Sequence, residues 1–373
     1  MRVAIVTESF PPDVNGVANC AMHTARHLVR RGHDVLVAAP AATDDSTAAE
    51  TPCRVVRLRA VPLPGYRQVR LALPSRRLAA ELAAHGSELV HLASPFVLGG
   101  RGVAAAAKLG IPSVAVYQTD LGSYARTYMG AGEALAWRRI RQLHSAADLT
   151  LAPSTAALSQ LAGHGVPRVR LWPRGVDSLR FHPLRRDEAL RRKLLDGAKV
   201  LVGYVGRLAP EKHVALLAAT QQLPGVQVVV VGDGPSAAQL RDALPEAHFM
   251  GARSGMELAK IFASLDVFVH TGPYETFCQT VQEAMASGVP VVAPAAGGPL
   301  DLVAHGKTGY LVPPLDAMAV RDAVDGLAQD PLLRAEFGRE ARAAVAGRTW
   351  EAIGDELLGH YAGVRAGREA VAV

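Results

Sequence analysis

Short apolar segments that are typical of buried strands alternate, along the whole chain, with segments of helical pattern. The predicted strands cover residues 3–7, 34–39, 88–92, 114–117, 199–205, 226–231, 266–270 and 289–293. The predicted helices include about 17–31, 75–85, 99–109, 255–264 and 279–287, and no strand is assigned to the proline- and arginine-rich stretch 52–75. Strands and helices that alternate at this spacing form a parallel sheet with helices on both faces. The pattern therefore predicts an α/β fold.

The alternation runs through two halves of similar length. Between them, the segment 172–177 combines a stiff proline with a permissive glycine, which is typical of a hinge. The chain has 373 residues, enough for two domains of about 100–200 residues each. We therefore predict an N-terminal domain at 1–175 and a C-terminal domain at 176–349, each binding ligands at the carboxyl ends of its strands.

Positive charge is concentrated in the first half. The formal net charge of +6 divides into +9 for residues 1–175 and −3 for residues 176–373. A short stretch holds many of the arginines: Arg54, Arg57, Arg59, Arg67, Arg70, Arg76 and Arg77. Because no nucleic-acid motif is found, nucleic acid is not expected as a partner. A solvated face and a surface that contacts anionic lipid both stay open.

The three cysteines, Cys20, Cys53 and Cys278, form neither a CxxC pair nor a metal-ligand cluster in the sequence. We therefore expect no bound metal, and such sparse cysteines are typical of a reducing compartment. No apolar run approaches the about 18 residues that a spanning helix needs. Met1 and Arg2 lead directly into a predicted strand rather than into a signal sequence. These features predict a cytoplasmic protein, with its basic half suited to the inner face of the plasma membrane.

The segment 274–290 contains the strongest cluster of polar residues. Glu275 ends a loop after a predicted strand, and a helix begins near Thr276–Gln279. The unpaired N–H groups and the dipole at a helix N-terminus favour a phosphate. Glu275 and Glu283 flank this position and can accept hydrogen bonds from sugar or ribose hydroxyls. The alternative is a capped helix with surface glutamates.

Two further loops follow predicted strands and offer complementary chemistry. Arg207 and Lys212 lie just after the strand 199–205, and two fixed cations beside a helix N-terminus can hold a diphosphate without a metal. The alternative is a solvated turn. In the first half, Gly16 precedes a predicted helix, and its lack of a side chain lets the backbone approach a ligand closely. The alternative is an ordinary loop glycine.

Taken together, these residues resemble the retaining glycosyltransferases of the GT-B superfamily, specifically family 4. The resemblance rests on a Glu-x7-Glu pattern (Glu275, Glu283), an Arg-x4-Lys pattern (Arg207, Lys212) and the Asn-Gly-Val loop at 15–17. Within the family, segments 206–213, 274–288 and 293–303 are most similar to actinobacterial GDP-mannose-dependent α-mannosyltransferases. The resemblance covers nearly the whole chain. It implies two Rossmann-like doubly wound parallel-sheet domains that face each other across a deep cleft, with a helix at about 350–373 packing back on the first domain.

The resemblance also implies roles for individual residues. Arg207 and Lys212 would neutralise the diphosphate, Glu275 would hold hydroxyls of the transferred sugar, and Glu283 would hold the ribose. The remaining donor contacts would come from Gly16 and Thr276, Phe277, Cys278 and Gln279 at phosphate and sugar, and from Met250, Gly251 and Arg253 at the base. It implies no metal and no cofactor besides the nucleotide-sugar donor.

The sequence departs from the family at one position near the reacting centre. Many relatives carry a histidine where this chain has Gln118, and a glutamine side chain cannot act as a base. Asp120 is therefore the group predicted to orient or deprotonate the acceptor, which completes a catalytic set with Gln118, Arg207, Lys212 and Glu275. The acceptor itself is predicted to contact Tyr124, Arg126 and Tyr128.

The function implied by the resemblance is retaining transfer of mannose from GDP-mannose to a hydroxyl of a glycolipid or cell-envelope glycan. The acceptor would attack from the face that the diphosphate leaves, without a metal. Two alternatives stay open. One is a retaining glucosyltransferase that uses UDP-glucose or another nucleotide sugar on a small soluble acceptor, and the other is a GT-B nucleotide-sugar epimerase.

Overall fold

The computed structural model describes residues 1–13, 15–41, 50–63, 66–73, 75–119 and 132–371. The chain divides into two compact units: Met1–Arg174 together with Trp350–Val373, and Gly175–Thr349. We refer to them as the first and the second unit. Each is built on a parallel sheet with helices, which confirms the predicted α/β class. In these described ranges, no helix combines the length and hydrophobicity needed to cross a bilayer.

The strands are Arg2–Thr7 (β1), Asp34–Pro40 (β2), Arg54–Leu58 (β3), Ala60–Leu63 (β4), Tyr66–Ala72 (β5), Leu89–Ala93 (β6), Ser113–Val116 (β7), Leu149–Ala152 (β8), Val169–Leu171 (β9), Val200–Val205 (β10), Val226–Val231 (β11), His248–Gly251 (β12), Val267–Val269 (β13), Val291–Pro294 (β14) and Gly309–Val312 (β15). The α-helices are Gly16–Arg30 (α1), Arg77–His85 (α2), Leu98–Lys108 (α3), Glu133–Ala146 (α4), Thr155–Gly163 (α5), Glu188–Leu195 (α6), Ala218–Gln221 (α7), Ala237–Ala243 (α8), Gly255–Ser264 (α9), Gln279–Ala286 (α10), Pro299–Leu302 (α11), Ala317–Gln329 (α12), Pro331–Val345 (α13) and Trp350–Val371 (α14).

The sheet of the first unit has, among the described residues, the strand order β3-β2-β1-β6-β7-β8-β9, and its strands are parallel. Val3 stands opposite Val35 of β2 on one side and Leu89 of β6 on the other. Residues 3–6 are apolar without interruption because β1 is covered on both faces, and their side chains are fully buried. The strand order reverses its direction at β1 and β6, so their carboxyl ends form a natural binding edge.

The stretch 52–75 forms strands that the sequence analysis did not predict. β3 extends the sheet, with Arg54 opposite Leu36, and β4 and β5 form a separate antiparallel pair. In β3, Val56 and Leu58 are buried while Arg54 is exposed and Arg57 half-buried. Arg57 alternates with the buried Val56 and Leu58, whereas Arg54 starts the strand on their face, and these two charges hid the two-residue strand period.

Helix α14 belongs to the first unit although it follows the whole of the second in the chain. Its residues Trp350, Ile353, Leu357 and Tyr361 are buried in a core shared with β1, β2 and β6. The indole N–H of Trp172 donates to the Ile353 carbonyl at 2.9 Å, a contact that spans 181 positions of sequence. The last helix is therefore part of this unit's core.

The sheet of the second unit has, within the described residues, the strand order β12-β11-β10-β13-β14-β15, again parallel. Val202 of β10 stands opposite Val228 of β11 and Val267 of β13. The order in which successive strands are added to the sheet changes direction between β10 and β13. The loops that follow these two strands, 206–213 and 270–278, therefore start side by side at one edge of the sheet.

Candidate functional site

An ion pair joins the two loops at the carboxyl ends of β10 and β13. Lys212 Nζ lies 2.5 Å from Glu275 Oε1, and the two side chains are only 16% and 19% exposed. Burial opposes the charged form of Glu275, but the Lys212 ammonium and the His270 ring outweigh it and hold the pKa of this carboxyl well below its usual range. Glu275 is therefore an ionised acceptor of hydrogen bonds at neutral pH.

Arg207 lies at the same edge and is held by a carboxylate of its own. Its guanidinium donates a hydrogen bond to Glu211 Oε1, and Glu211 is 5% exposed. The Arg207 side chain is 34% exposed, so the guanidinium is anchored at one end and open to solvent along part of its surface. The structure thus places both predicted cations on one rim of the sheet. The sequence analysis found the cations and missed Glu211, which orients one of them.

A glycine turn supports the loop that carries Glu275. The Gly298 N–H donates to the Glu275 carbonyl at 2.8 Å, and Gly297 has a φ of +61°. A Cβ atom on Gly298 would lie 1.9 Å from the carbonyl oxygen of Phe277, so only glycine allows this approach. The backbone of this turn therefore fixes the backbone of the loop.

His270 and Cys278 lie behind this loop. They are 3% and 4% exposed, and His270 Nε2 lies 3.0 Å from the Gly272 carbonyl and 3.4 Å from Glu275 Oε1. Burial alone would lower the pKa of His270, but the sulfur of Cys278 and the carboxylate of Glu275 together raise it. One ligand atom each from His270, Glu275 and Cys278 lie within 4.8 Å of one another. The sequence analysis, which compared the cysteines with one another, did not find this group.

Helix α10 begins beside the ion pair and carries the second glutamate of the predicted pattern. Cys278 precedes its first residue with a φ of +77°, and Gln279 Nε2 donates to the Gly175 carbonyl at 3.1 Å. Burial raises the pKa of Glu283 to about 8, although the Gln279 side chain and Arg180 act in the opposite direction. Phe277 is 2% exposed and packs in the core of the second unit, and Thr276 is half-buried.

The raised pKa of Glu283 predicts a pH-dependent stability. Between the ordinary value of about 4.5 and the folded value of about 8, the folded state holds more protons than the unfolded one. The free energy of unfolding should therefore fall as pH rises through this window. Glu283→Gln should remove that fall. The free energy of unfolding of the variant, relative to that of the parent chain, should be about 1–3 kcal/mol higher at pH 8 than at pH 5.

Urea unfolding of the Glu283→Gln variant and the parent chain at both pH values measures this difference. Glu340→Gln, which changes an exposed glutamate of the same unit, is the matched control. A variant whose stability relative to the parent is the same at pH 5 and pH 8 would show that burial does not hold Glu283 protonated.

The residues predicted at the base lie on the same edge, after β12. The Gly232 N–H donates to the Gly251 carbonyl at 2.9 Å, and a Cβ on Gly232 would meet the Gly206 carbonyl oxygen at 1.9 Å. Met250 is half-buried against the core, while Arg253 is 38% exposed and pairs with Glu257 at 3.2 Å. These backbone contacts connect the end of β12 to the Arg207 loop.

In the first unit, a buried guanidinium underlies the start of α1. The Asn15 side chain caps this helix by accepting from Val17 N and Ala18 N at 3.0 and 2.9 Å. Arg174 is 7% exposed, and its Nη1 would lie 3.2 Å from a Cβ on Gly16. The sequence analysis treated residue 174 only as part of a hinge. The structure instead adds its positive charge to that of the helix N-terminus.

Arg174 also orients Gln118, which follows β7. Its guanidinium donates to Gln118 Oε1 at 2.9 Å, and Gln118 is 7% exposed. The Gln118 amide oxygen is thus held by a cation. The remaining predicted residues of this region, Asp120, Tyr124, Arg126 and Tyr128, lie outside the described residues.

The chain is similar to known glycosyltransferases over nearly its full length. Residues 14–180 match the profile of Glycosyltransferase Family 4, and residues 185–344 match that of Glycosyl transferases group 1. The chain is 48% identical to a GDP-mannose-dependent alpha-mannosyltransferase of Mycobacterium tuberculosis, over 99% of this chain and 98% of that protein. It is 49% identical to the protein of the same name from Mycolicibacterium smegmatis, over 98% of each.

Two solved structures have the same fold. Sucrose-phosphate synthase from Thermosynechococcus elongatus superposes with a TM-score of 0.81 at 24% identity, over 98% of this chain and 99% of that one. HepE of Anabaena, in complex with UDP, gives a TM-score of 0.80 at 23% identity, over 97% and 100%. The predicted GT-B fold is confirmed.

Proposed function

Because the chain belongs to glycosyltransferase family 4, we propose that it is a retaining α-mannosyltransferase that takes mannose from GDP-mannose. The observation that carries this proposal is the pairing of Lys212 with Glu275, beside Arg207, at the carboxyl ends of β10 and β13. This arrangement sets two cations next to an ionised carboxylate. Its chemistry suits a ligand that carries a diphosphate and a hydroxylated sugar, and relatives named for GDP-mannose match the chain over nearly its full length.

The reaction is accelerated by stabilisation of the leaving group in the transition state. As the bond between the anomeric carbon and the diphosphate breaks, negative charge grows on the phosphate oxygens, and Arg207 and Lys212 neutralise it. The N-terminus of α10 adds the positive end of its dipole. Glu275 accepts hydrogen bonds from the mannose hydroxyls, so the sugar is held while Lys212 is shared between carboxylate and phosphate.

Retention of configuration follows from attack on the face that the diphosphate leaves. The acceptor oxygen forms the new bond to the anomeric carbon, and its proton passes to the departing phosphate oxygen. The fixed cations supply the positive charge that this step needs, so the transfer requires no metal. The acceptor is a hydroxyl of a glycolipid or cell-envelope glycan.

A thermal-shift panel tests the choice of donor. GDP and GDP-mannose should raise the melting temperature, by the equivalent of about 2.7 kcal/mol at a concentration of 100 Kd, whereas UDP and UDP-glucose should not. A shift with the uridine compounds alone would support the glucosyltransferase alternative. Conversion of GDP-mannose to another nucleotide sugar without any acceptor would support the epimerase.

Contact with an anionic membrane is part of the proposal, and its support is the surface of α4. This helix exposes Leu135 at 69% together with Arg138, Arg139 and Arg141. Cations beside an exposed apolar side chain are attracted to anionic lipid. Co-sedimentation with vesicles of phosphatidylglycerol should be weakened several-fold by Arg138→Glu with Arg141→Glu, and unaffected by the control pair Arg192→Glu with Lys193→Glu on α6. Equal binding by both double variants would refute a role for α4.

A further inference from the structure

The buried group behind the Glu275 loop has the composition of a metal site. His270, Cys278 and Glu275 offer nitrogen, sulfur and oxygen ligand atoms that lie within 4.8 Å of one another. We infer that these three side chains form a binding site for a thiophilic divalent cation of the Zn²⁺ type, and that the bound ion excludes the nucleotide-sugar donor. The binding of the ion is independent of the proposed function, whereas the exclusion of the donor rests on it.

The ligand set favours zinc over the harder cations. Thiolate and imidazole are preferred by Zn²⁺, while Mg²⁺ and Ca²⁺ prefer sites made of oxygen ligands alone. Zinc lies about 2.0–2.3 Å from such ligands, so ligand atoms around one ion stand about 3.3–3.8 Å apart. A contraction of about 1.5 Å or less brings the present group to that spacing. Three protein ligands would leave a fourth position for water.

The orientation of His270 supplies independent support. Its Nε2 is hydrogen-bonded to the Gly272 carbonyl at 3.0 Å, an arrangement that metal-binding histidines commonly use to fix their ring. The residue is only 3% exposed, and its Nδ1 is buried and makes no hydrogen bond within the described part of the chain. A buried polar atom without a partner is unfavourable, and a metal ion would supply the missing interaction.

The bound ion would alter the donor site through Glu275. This carboxylate now pairs with Lys212 at 2.5 Å. A divalent cation that takes the carboxylate would repel the Lys212 ammonium and occupy the oxygens that the sugar hydroxyls need. Zinc and donor should therefore compete, so that each lowers the apparent affinity for the other.

Cobalt provides a direct spectroscopic test on the full chain. After chelator treatment, Co²⁺ should bind one equivalent and give the near-ultraviolet absorption of a sulfur–cobalt bond, and Zn²⁺ should bleach it. Cys278→Ser should lose this absorption, while Cys20→Ser and Cys53→Ser should retain it. Cys278→Gly is a second variant that suits the positive φ of this position and so keeps the loop intact.

The competition is measured separately, as the effect of Zn²⁺ on GDP binding. The apparent Kd for GDP should rise at least tenfold at saturating Zn²⁺ in the parent chain and stay unchanged in Cys278→Gly. An absorption that is absent, or that persists without Cys278, would overturn the metal site. Metal binding with an unchanged Kd for GDP would overturn the exclusion. If the chain gives the cobalt absorption but does not bind GDP, the metal site is supported and the proposed donor is refuted.

Discussion

Lys212→Ala should lower kcat/KM by a factor of about 10²–10³. Removing one preorganised charge that faces the transition state typically costs this much, because the stabilisation is made in a partly desolvated site. Lys212 is 16% exposed, and it is held at 2.5 Å from Glu275, so its position is set before the donor arrives. In the proposed mechanism, the charge that Lys212 stabilises grows as the diphosphate leaves, so the loss should fall mainly on kcat.

The measurement is steady-state kinetics with GDP-mannose, well below the melting temperature of each variant. Lys212→Ala also leaves Glu275 without its cation, so its stability should be measured alongside. Lys307→Ala removes another lysine of the same unit that pairs with a glutamate, at 3.2 Å and 67% exposed, and it should change kcat/KM by less than twofold. Near-parental activity of Lys212→Ala would show that the diphosphate is held elsewhere.

Gly298→Ala should disrupt the donor site and destabilise the second unit by about 3 kcal/mol. The added Cβ would lie 1.9 Å from the Phe277 carbonyl oxygen and 2.2 Å from its carbon. These are backbone atoms, so the conflict cannot be relieved by turning a side chain, and the loop that carries Glu275 must move. The hydrogen bond from Gly298 N to the Glu275 carbonyl would then be lost, and with it the GDP-induced rise in melting temperature.

A second glycine in the same unit gives the matched control. Gly326 lies within α12, and a Cβ there would meet nothing within 4 Å. Gly326→Ala should therefore raise stability by about 0.5–1 kcal/mol, because alanine is the better helix former, and it should leave GDP binding intact. Calorimetric unfolding of both variants, with and without GDP, distinguishes the two effects. Equal melting temperatures of Gly298→Ala and Gly326→Ala would mean that the turn at 297–298 does not support the loop that carries Glu275.

The α/β fold could be predicted because strand and helix periods differ and both recur throughout the chain. The order of the strands could not, since it depends on contacts between segments far apart. β3 was missed because Arg54 and Arg57 interrupt its apolar residues, and the pattern is visible only when their exposure is known. Local sequence therefore predicted the elements that are buried on both faces better than those at the sheet edge.

The candidate site divides in a similar way. Arg207, Lys212 and Glu275 could be selected from loop positions and residue type, and the structure brings them to one edge of the second unit's sheet. The ion pair between Lys212 and Glu275 spans 63 positions and could not be predicted from either segment alone. Arg174 was missed for the same reason, because its burial beside Gly16 and its contact with Gln118 arise only from the fold.

The placement of α14 has a consequence for how the protein is made. Tyr361 and His91 are hydrogen-bonded at 2.7 Å across 270 positions, so the core of the first unit contains residues that leave the ribosome after the whole second unit. The second unit is continuous in the chain and can fold during synthesis, whereas the first remains open until its last helix emerges. The second unit can therefore complete its folding before the first, although most of the first is synthesised earlier. Protease digestion of ribosome-bound chains arrested after residue 349 tests this order. A first unit that already resists the protease at that point would contradict it.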